Sequence, residues 1–327
     1  MNMSDTSSLQ AYVHALRHEA DDILGVELRP APGSAPFPAY TAGAHIDLHL
    51  PNGMVRSYSL LTLPGTGPGY HIGVLKDRAS RGGSRCVHEQ LRIGTRLMIS
   101  EPLNNFELDE SASHSVLIAG GIGITPILCM ARRLKALGKS FELIYLARAR
   151  PAAAFVDEIT ALGALVNWHF DADRGGPPDL GALLATRPGH GDAASVHHYA
   201  CGPAPMLDAF TAACTTLGYA NHHIERFTAV EVAAADDARS SYRVVLSHSN
   251  KTIQVTPGST LLSALRAAGL DPATSCEEGI CGTCETRVLE GRPDHRDSVL
   301  SAAERLANKS MMICVSGCKS ESLVLEL

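Results

Sequence analysis

Four cysteines near the end of the chain restrict what it can fold into more than any other feature. Three stand in the run Cys276-Glu277-Glu278-Gly279-Ile280-Cys281-Gly282-Thr283-Cys284, and Cys314 follows after a spacer of 29 residues, Glu285 to Ile313. Spacing of the form C-x4-C-x2-C with a distant fourth cysteine is that of a plant-type [2Fe–2S] ligand set. Each iron takes two soft thiolates, and the bridging sulfides need backbone N–H donors wrapped close around them. Gly279 and Gly282 allow that close approach and the positive φ it requires. The rival readings are a zinc knuckle in a metal-binding interaction module, or plain buried thiols. Zinc sites favour paired C-x2-4-C units, and only the pair Cys281 and Cys284 has that spacing.

The rest of the last third suits a small β-grasp fold around this loop. Alternation predicts strands over 242–246 and 251–255, with a turn at Ser249-Asn250. A helix is expected over 261–268, stopped by Gly269, then a strand over 285–289, a helical stretch near 301–307 and a last strand over 323–327. The small, polar stretch 231–241 ahead of it has the composition of an exposed linker.

A chain of 327 residues is too long for one ordinary core and implies two or three domains. With 45% hydrophobic and 19% charged residues it has the balance of a soluble globular protein. The formal net charge of −6 gives no basic footprint for nucleic acid and suits transient docking to a basic patch on a partner. Cys86, Cys129, Cys201, Cys214 and Cys318 are scattered, a pattern of a reducing compartment rather than a disulfide scaffold. The opening residues carry no signal-peptide pattern. The most apolar run, 116–131, is shorter than a membrane span and broken by Gly120, Gly121, Gly123 and Pro126. A cytoplasmic protein with no membrane association is expected.

Short β-like runs divided by Gly and Pro fill the first third, over 11–16, 23–29, 44–50, 55–60, 70–75 and 96–99, with one helix over 84–91. They predict a small antiparallel barrel. Two features there have chemical potential. Arg56-Ser57-Tyr58-Ser59 lies on a strand, and Gly82-Gly83-Ser84 opens the helix, where glycine N–H groups and a serine cap suit a phosphate. Taken singly, the first is a solvated strand face and the second a bland turn. Cys86-Val87-His88 has half the ligand spacing of a Rieske centre but no second half follows, so both residues are read as structural.

From residue 115 strands alternate with helices. Strands are expected over 116–119, 141–147, 165–170, 196–200 and 222–227, and helices over 126–137, 153–162, 180–185 and 205–217: a five-stranded parallel α/β sheet. The turn Gly120-Gly121-Ile122-Gly123-Ile124-Thr125-Pro126 follows the first strand, with Thr125 expected as N-cap and Pro126 as first helical residue. It departs from G-x-G-x-x-G, since Pro126 stands at the third glycine. With Arg148 after the second strand and Cys201-Gly202-Pro203 after the fourth, it lies on the rim where such sheets bind ligands. Cys201 reads equally as a buried core thiol. No acid ends the second strand, where Arg148 and Arg150 stand, and this leaves NADP open beside NAD.

The three motif sets in this order resemble the phthalate dioxygenase reductase family, one-chain reductases of Rieske-type oxygenases, over nearly the whole length. The resemblance implies a multi-domain chain: a flavin-binding β-barrel over 1–107, a pyridine-nucleotide α/β domain over 108–230, the linker over 231–241, and a β-grasp [2Fe–2S] ferredoxin domain over 242–327. It implies that Arg56, Ser57, Tyr58 and Ser59 meet the flavin ring and that Gly82, Gly83 and Ser84 hold its phosphate, with FMN favoured over FAD. Gly120, Gly121, Gly123 and Thr125, together with Arg148, Cys201, Gly202 and Pro203, would hold the nicotinamide nucleotide, NADH by family habit. Phe227 would lie near the flavin. Hydride from NADH and single electrons onward to a Rieske-type oxygenase, by a monomer that docks transiently, is the implied activity. Neither the oxygenase nor its substrate is legible. A redox sensor using the same cofactors without turnover is the alternative from another class.

Overall fold

A computed structural model describes residues 8–63, 65–78, 80–187, 195–228 and 241–327. The expected linker lies, apart from Ser241, outside the described residues. The described residues divide into two compact units, one over 8–227 and one over 228 and 241–327.

The first unit opens with β1 (Ser8–Ala20), β2 (Ile23–Pro30), β3 (His45–His49), β4 (Val55–Ser59), β5 (Tyr70–Leu75), helix α1 (Gly83–Gln90) and β6 (Arg96–Ser100). The six strands form one antiparallel sheet in the order β4-β3-β6-β1-β2-β5. Its two edges meet: Leu60 bridges Ile72, and the Leu61 N–H donates to the His71 carbonyl at 3.0 Å, so the sheet closes into a barrel. Alternate residues Val26 and Leu28, Ile46 and Leu48, and Ile72 and Val74 fill its interior. β1 is longer than the sequence suggested. Bulges after Val13 and His18 break its alternation, and the polar run from Arg17 to Glu19 hides its far end, which pairs with the start of β2.

Next come β7 (His114–Gly120), α2 (Ile124–Ala136), β8 (Phe141–Ala147), α3 (Val156–Ala161), β9 (Val166–Phe170), α4 (Asp171–Arg174), α5 (Leu180–Ala185), β10 (Val196–Cys201), α6 (Ala204–Leu217) and β11 (His222–Glu225). The sheet is wholly parallel, in the order β11-β10-β7-β8-β9. Gly138, at φ 67, ends α2 as expected. The start of α2 needs correction. Gly121–Gly123 forms a 3-10 turn that runs straight into the helix, Gly123 is the N-cap, and Thr125 and Pro126 fall within the first turn. α3 is also shorter than expected, because Phe155 takes a left-handed φ of 59 that interrupts any helix from residue 153. The barrel and the sheet share one core, in which Ala20, Ile23, Leu61 and Phe106 pack with Leu117, Ile127, Leu128 and Tyr145.

The second unit comprises β12 (Tyr242–Leu246), β13 (Lys251–Val255), α7 (Leu261–Ala267), β14 (Glu285–Glu290), β15 (Pro293–Asp294), α8 (Ala302–Ala307), β16 (Ser310–Met312), β17 (Gly317–Cys318) and β18 (Ser322–Leu325). Sheet order β13-β12-β18-β14-β16, with only β12 and β18 parallel, is a β-grasp arrangement. α7 starts in a Thr260/Ser263 capping box and buries Leu261, Leu262 and Leu265 against the sheet. Ser301 and Glu304 cap α8 in the same way. The two-residue ladder of β15 and β17 is too short to leave a period-2 signal.

Candidate functional site

In the second unit the loop between α7 and β14 folds back on itself through positive φ at Glu277 (55), Gly279 (71) and Gly282 (79). That path buries the thiols of Cys276, Cys281, Cys284 and Cys314. Cys284 Sγ lies 3.1 Å from Cys314 Sγ, and the Glu278 N–H donates to Cys276 Sγ at 3.3 Å. The N–H groups of Ile280 and Cys281 also face Cys276, and that of Gly279 faces Cys314. A Cβ at Gly279 would lie 2.6 Å from Val315 Cγ2, so only glycine passes there. A hydrogen bond with Cys281 holds the Cys276 thiol below its ordinary value. Hydrogen bonds from Cys276 and Cys284, then burial, push Cys281 and Cys314 up. Among the described residues no three His, Cys, Asp or Glu side chains converge on one point as the ligands of a single ion do. Four buried sulfurs with backbone N–H groups turned toward them are the donor set of an anionic, thiolate-held [2Fe–2S] cluster.

In the first unit β4 ends at the seam between barrel and sheet. Arg56 and Tyr58 share one face of the strand. The Arg56 stem lies so close to the start of α1 that a Cβ at Gly83 would stand 2.7 Å from its Cγ. The strand and the glycine turn, separate motifs in the sequence, therefore form one place. α1 is capped by Gly82 at φ 119 rather than by Ser84, which sits inside the first turn and accepts from the Asp77 N–H at 3.2 Å. Its leading N–H groups have no acceptor within the helix. Burial pushes the Tyr58 phenol well above its ordinary value. Ser57 faces the other way and donates to Asp47 Oδ1 at 2.6 Å.

Ser59 donates across the seam to Glu225 Oε2 at 3.2 Å, and Cys201 Sγ lies 3.9 Å from the same oxygen. The ends of β4, β10 and β11 thus converge on one carboxyl. Glu225 keeps some exposed surface, but its carboxyl is enclosed, and desolvation raises it to about 8. Burial, then Glu225, pushes the Cys201 thiol well up. Phe227 packs on the shared core two residues beyond.

The glycines of the sheet turn serve packing. A Cβ at Gly123 would stand 2.2 Å from the Cys201 carbonyl oxygen, and one at Gly120 would meet Met206 Sδ at 2.6 Å and Pro203 Cδ at 2.8 Å. They bring the turn after β7 onto Gly202 and Pro203 after β10. Gly121, at φ 54, has open space around it. Thr125 is buried, donates to the Ile122 carbonyl at 3.1 Å and abuts Gly73 of β5. Arg148 follows β8 directly, and its carbonyl accepts from the Ala172 N–H at 2.9 Å, so Asp171 and Asp173 stand beside it on the rim. Arg150 lies over the Phe170 ring, 4.8 Å from its centroid.

The family model of the 2Fe-2S iron-sulfur cluster binding domain matches residues 244–319. Phenoxybenzoate dioxygenase subunit beta of Ectopseudomonas oleovorans is 47% identical over 316 residues, covering 96% of each chain. The solved structure of phthalate dioxygenase reductase is 34% identical, with a TM-score of 0.71 over 100% of both chains. The chain belongs to the phthalate dioxygenase reductase family. A self-sufficient type IV cytochrome P450 monooxygenase is also similar, 39% identical with a TM-score of 0.89 over 98% of this chain, which spans only 41% of that longer one.

As a phthalate dioxygenase reductase family member the chain is an oxidoreductase, and its second unit is a [2Fe–2S] domain. Sequence reasoning passed over Glu225. The available signal was an acid closing the last strand of a parallel sheet, on the rim that binds ligands. Asp171 was also passed over, because an acid was sought after β8 and stands after β9.

Proposed function

We propose that the chain oxidises NADH by hydride transfer to FMN and passes single electrons through its [2Fe–2S] cluster to a Rieske-type oxygenase, an aromatic-ring dioxygenase or an O-demethylase. What carries this function is the convergence of the ends of β4 and β10 on Glu225 of β11, in a chain that also builds a four-thiol loop. When bound, a flavin takes up the two electrons of a hydride and releases them singly, as a one-electron cluster requires.

The residues supply position. Arg56 and the start of α1, Gly82-Gly83-Ser84, hold the FMN phosphate by charge and by the N–H groups that follow the Gly82 cap, whose own N–H donates to Ser80 Oγ at 3.1 Å. Tyr58 and Ser59 line the ring, and Phe227 covers its site from the shared core. Glu225, raised to about 8, keeps its proton at neutral pH and adds no net charge beside Ser59 and Cys201. The turn Gly120–Gly123, with Thr125, Cys201, Gly202 and Pro203, holds the nucleotide. Asp171 and Asp173 beside Arg148 oppose a 2′-phosphate, which favours NADH over NADPH.

The barrel over 1–107 is the flavin domain, 108–230 the nucleotide domain and 242–327 the ferredoxin domain. The oxygenase docks transiently on a monomer in the cytoplasm. No helix among the described residues is long and apolar enough to cross a membrane, and the described cysteines are free thiols.

Protein prepared without air, with FMN, iron and sulfide supplied, tests this. Rapid NADH oxidation with cytochrome c as acceptor is expected. Cofactor binding without turnover would favour the sensor, and a preparation lacking iron and acid-labile sulfide would end the proposal.

A further inference from the structure

Between β15 and α8 lies a buried carboxylate whose backbone hydrogen bonds do not require its negative charge. The Asp297 side chain is wholly buried, and its Oδ2 accepts from the N–H groups of Val299 (3.1 Å) and Leu300 (2.8 Å). An asparagine oxygen would accept both bonds equally well. A buried carboxylate costs stability unless it is paired, and the pairing here is partial. Arg305, on α8 and 40% exposed, brings Nη2 to 3.7 Å from Oδ2 and donates to the Asp297 carbonyl. His295 Nδ1 stands 3.9 Å from Oδ1, but neither ring nitrogen nor Oδ1 has a hydrogen-bond partner. Among the described residues these are the two basic side chains within 4.0 Å of the carboxylate.

This acid is packed on the cysteine loop. The Ser298 N–H donates to the Gly279 carbonyl at 2.8 Å, and a Cβ at Gly279 would stand 3.1 Å from Asp297 Cα and 3.3 Å from its Cβ. The Gly279 N–H in turn faces Cys314. Iron–sulfur potentials follow net charge, hydrogen bonds to sulfur and exposure, and a buried charge is screened far less than an exposed one.

We infer that Asp297 and Arg305 are an opposed charge pair that sets the reduction potential of the [2Fe–2S] cluster, Asp297 lowering it and Arg305 raising it. The pair is neutral in sum, so the wild-type potential conceals two opposing contributions. Both are positioning residues, and the inference rests on the cluster assignment above.

The test is an EPR-monitored redox titration of the full-length holoprotein, run at one pH for all variants. Asp297→Asn removes the negative charge but keeps the acceptor, and should raise the midpoint. Arg305→Met should lower it, and Arg305→Lys should restore the wild-type value. Each shift should be three- to tenfold in the one-electron equilibrium, about 30–60 mV. A purely structural brace would move both variants the same way or cost iron and sulfide in both. Shifts of equal sign, or none in variants with full iron and sulfide, overturn the inference. Should Asp297→Asn fail to hold iron, Arg305→Met decides alone, and an unchanged or raised midpoint overturns it. Wild-type protein without a cluster would instead refute the underlying assignment.

Discussion

The cysteine loop of the second unit and the glycine turn of the parallel sheet read alike as sequence, yet they use glycine for opposite reasons. In the cysteine loop Gly279 and Gly282 take positive φ, and the backbone they release turns its N–H groups toward sulfur. In the sheet turn Gly120 and Gly123 have φ of −115 and −61, which any residue adopts. They are glycine because the end of β10 and the turn after it leave no room for a Cβ: the Cys201 backbone crowds Gly123, and the Met206 and Pro203 side chains crowd Gly120. One loop is a donor surface made by conformation, and the other is a close contact that lets two rim turns meet. A glycine motif therefore names chemistry only once its φ and its nearest atoms are known.

The sharpest way to break that contrast is to remove one loop's chemistry and leave the other intact. Cys281→Ser should abolish electron delivery to cytochrome c and most bound iron, while NADH still reduces the flavin. Equal loss of both reactions would mean that the two loops do not act in separate steps. The converse change is Gly123→Ala, whose Cβ meets a carbonyl oxygen that cannot rotate away. A loss of about 3 kcal/mol is expected from overpacking against backbone. In urea unfolding the first unit should lose its structure early, while the visible absorption of the cluster persists. A near-neutral Gly123→Ala would show that the turn is looser than its contacts imply.

A smaller effect sharpens the flavin side. Arg56→Ala should weaken FMN binding about tenfold, the ordinary worth of a charged hydrogen bond, measured by flavin fluorescence on dilution. Undiminished retention would move the phosphate away from the start of α1.

Legibility followed sequence distance. The cysteine set was readable because its spacing is local and its ligand chemistry dictates the residue type. The barrel and the parallel sheet were readable from alternation and from strand–helix order. Glu225 was not, since its partner Ser59 lies 166 residues away and nothing local marks either as half of a contact. Ser57 was read with its neighbours as a ligand contact, although strand alternation alone turns it toward Asp47. The start of α2 was misjudged by capping rules, because a 3-10 turn of glycines had already set the helical path.

The least drastic change tests the seam itself. Glu225 is raised from an ordinary 4.5 to about 8, so between those values the folded chain keeps a proton that the unfolded chain releases. Stability is then fully present below about pH 4.5, falls as pH rises through the window, and levels off above about pH 8. Glu225→Gln keeps an acceptor for Ser59 and removes the titration. The variant should unfold at a urea midpoint that varies less between pH 5.5 and 8.5 than that of wild type, and the curves should lie closest at the lower end, with wild type falling below the variant toward the upper end. Because the residue retains some exposure, a difference on the order of 1–2 kcal/mol is the appropriate scale. Parallel curves for the two proteins would mean that the carboxyl at the seam is solvated, and that barrel and sheet meet around water rather than around a protonated acid.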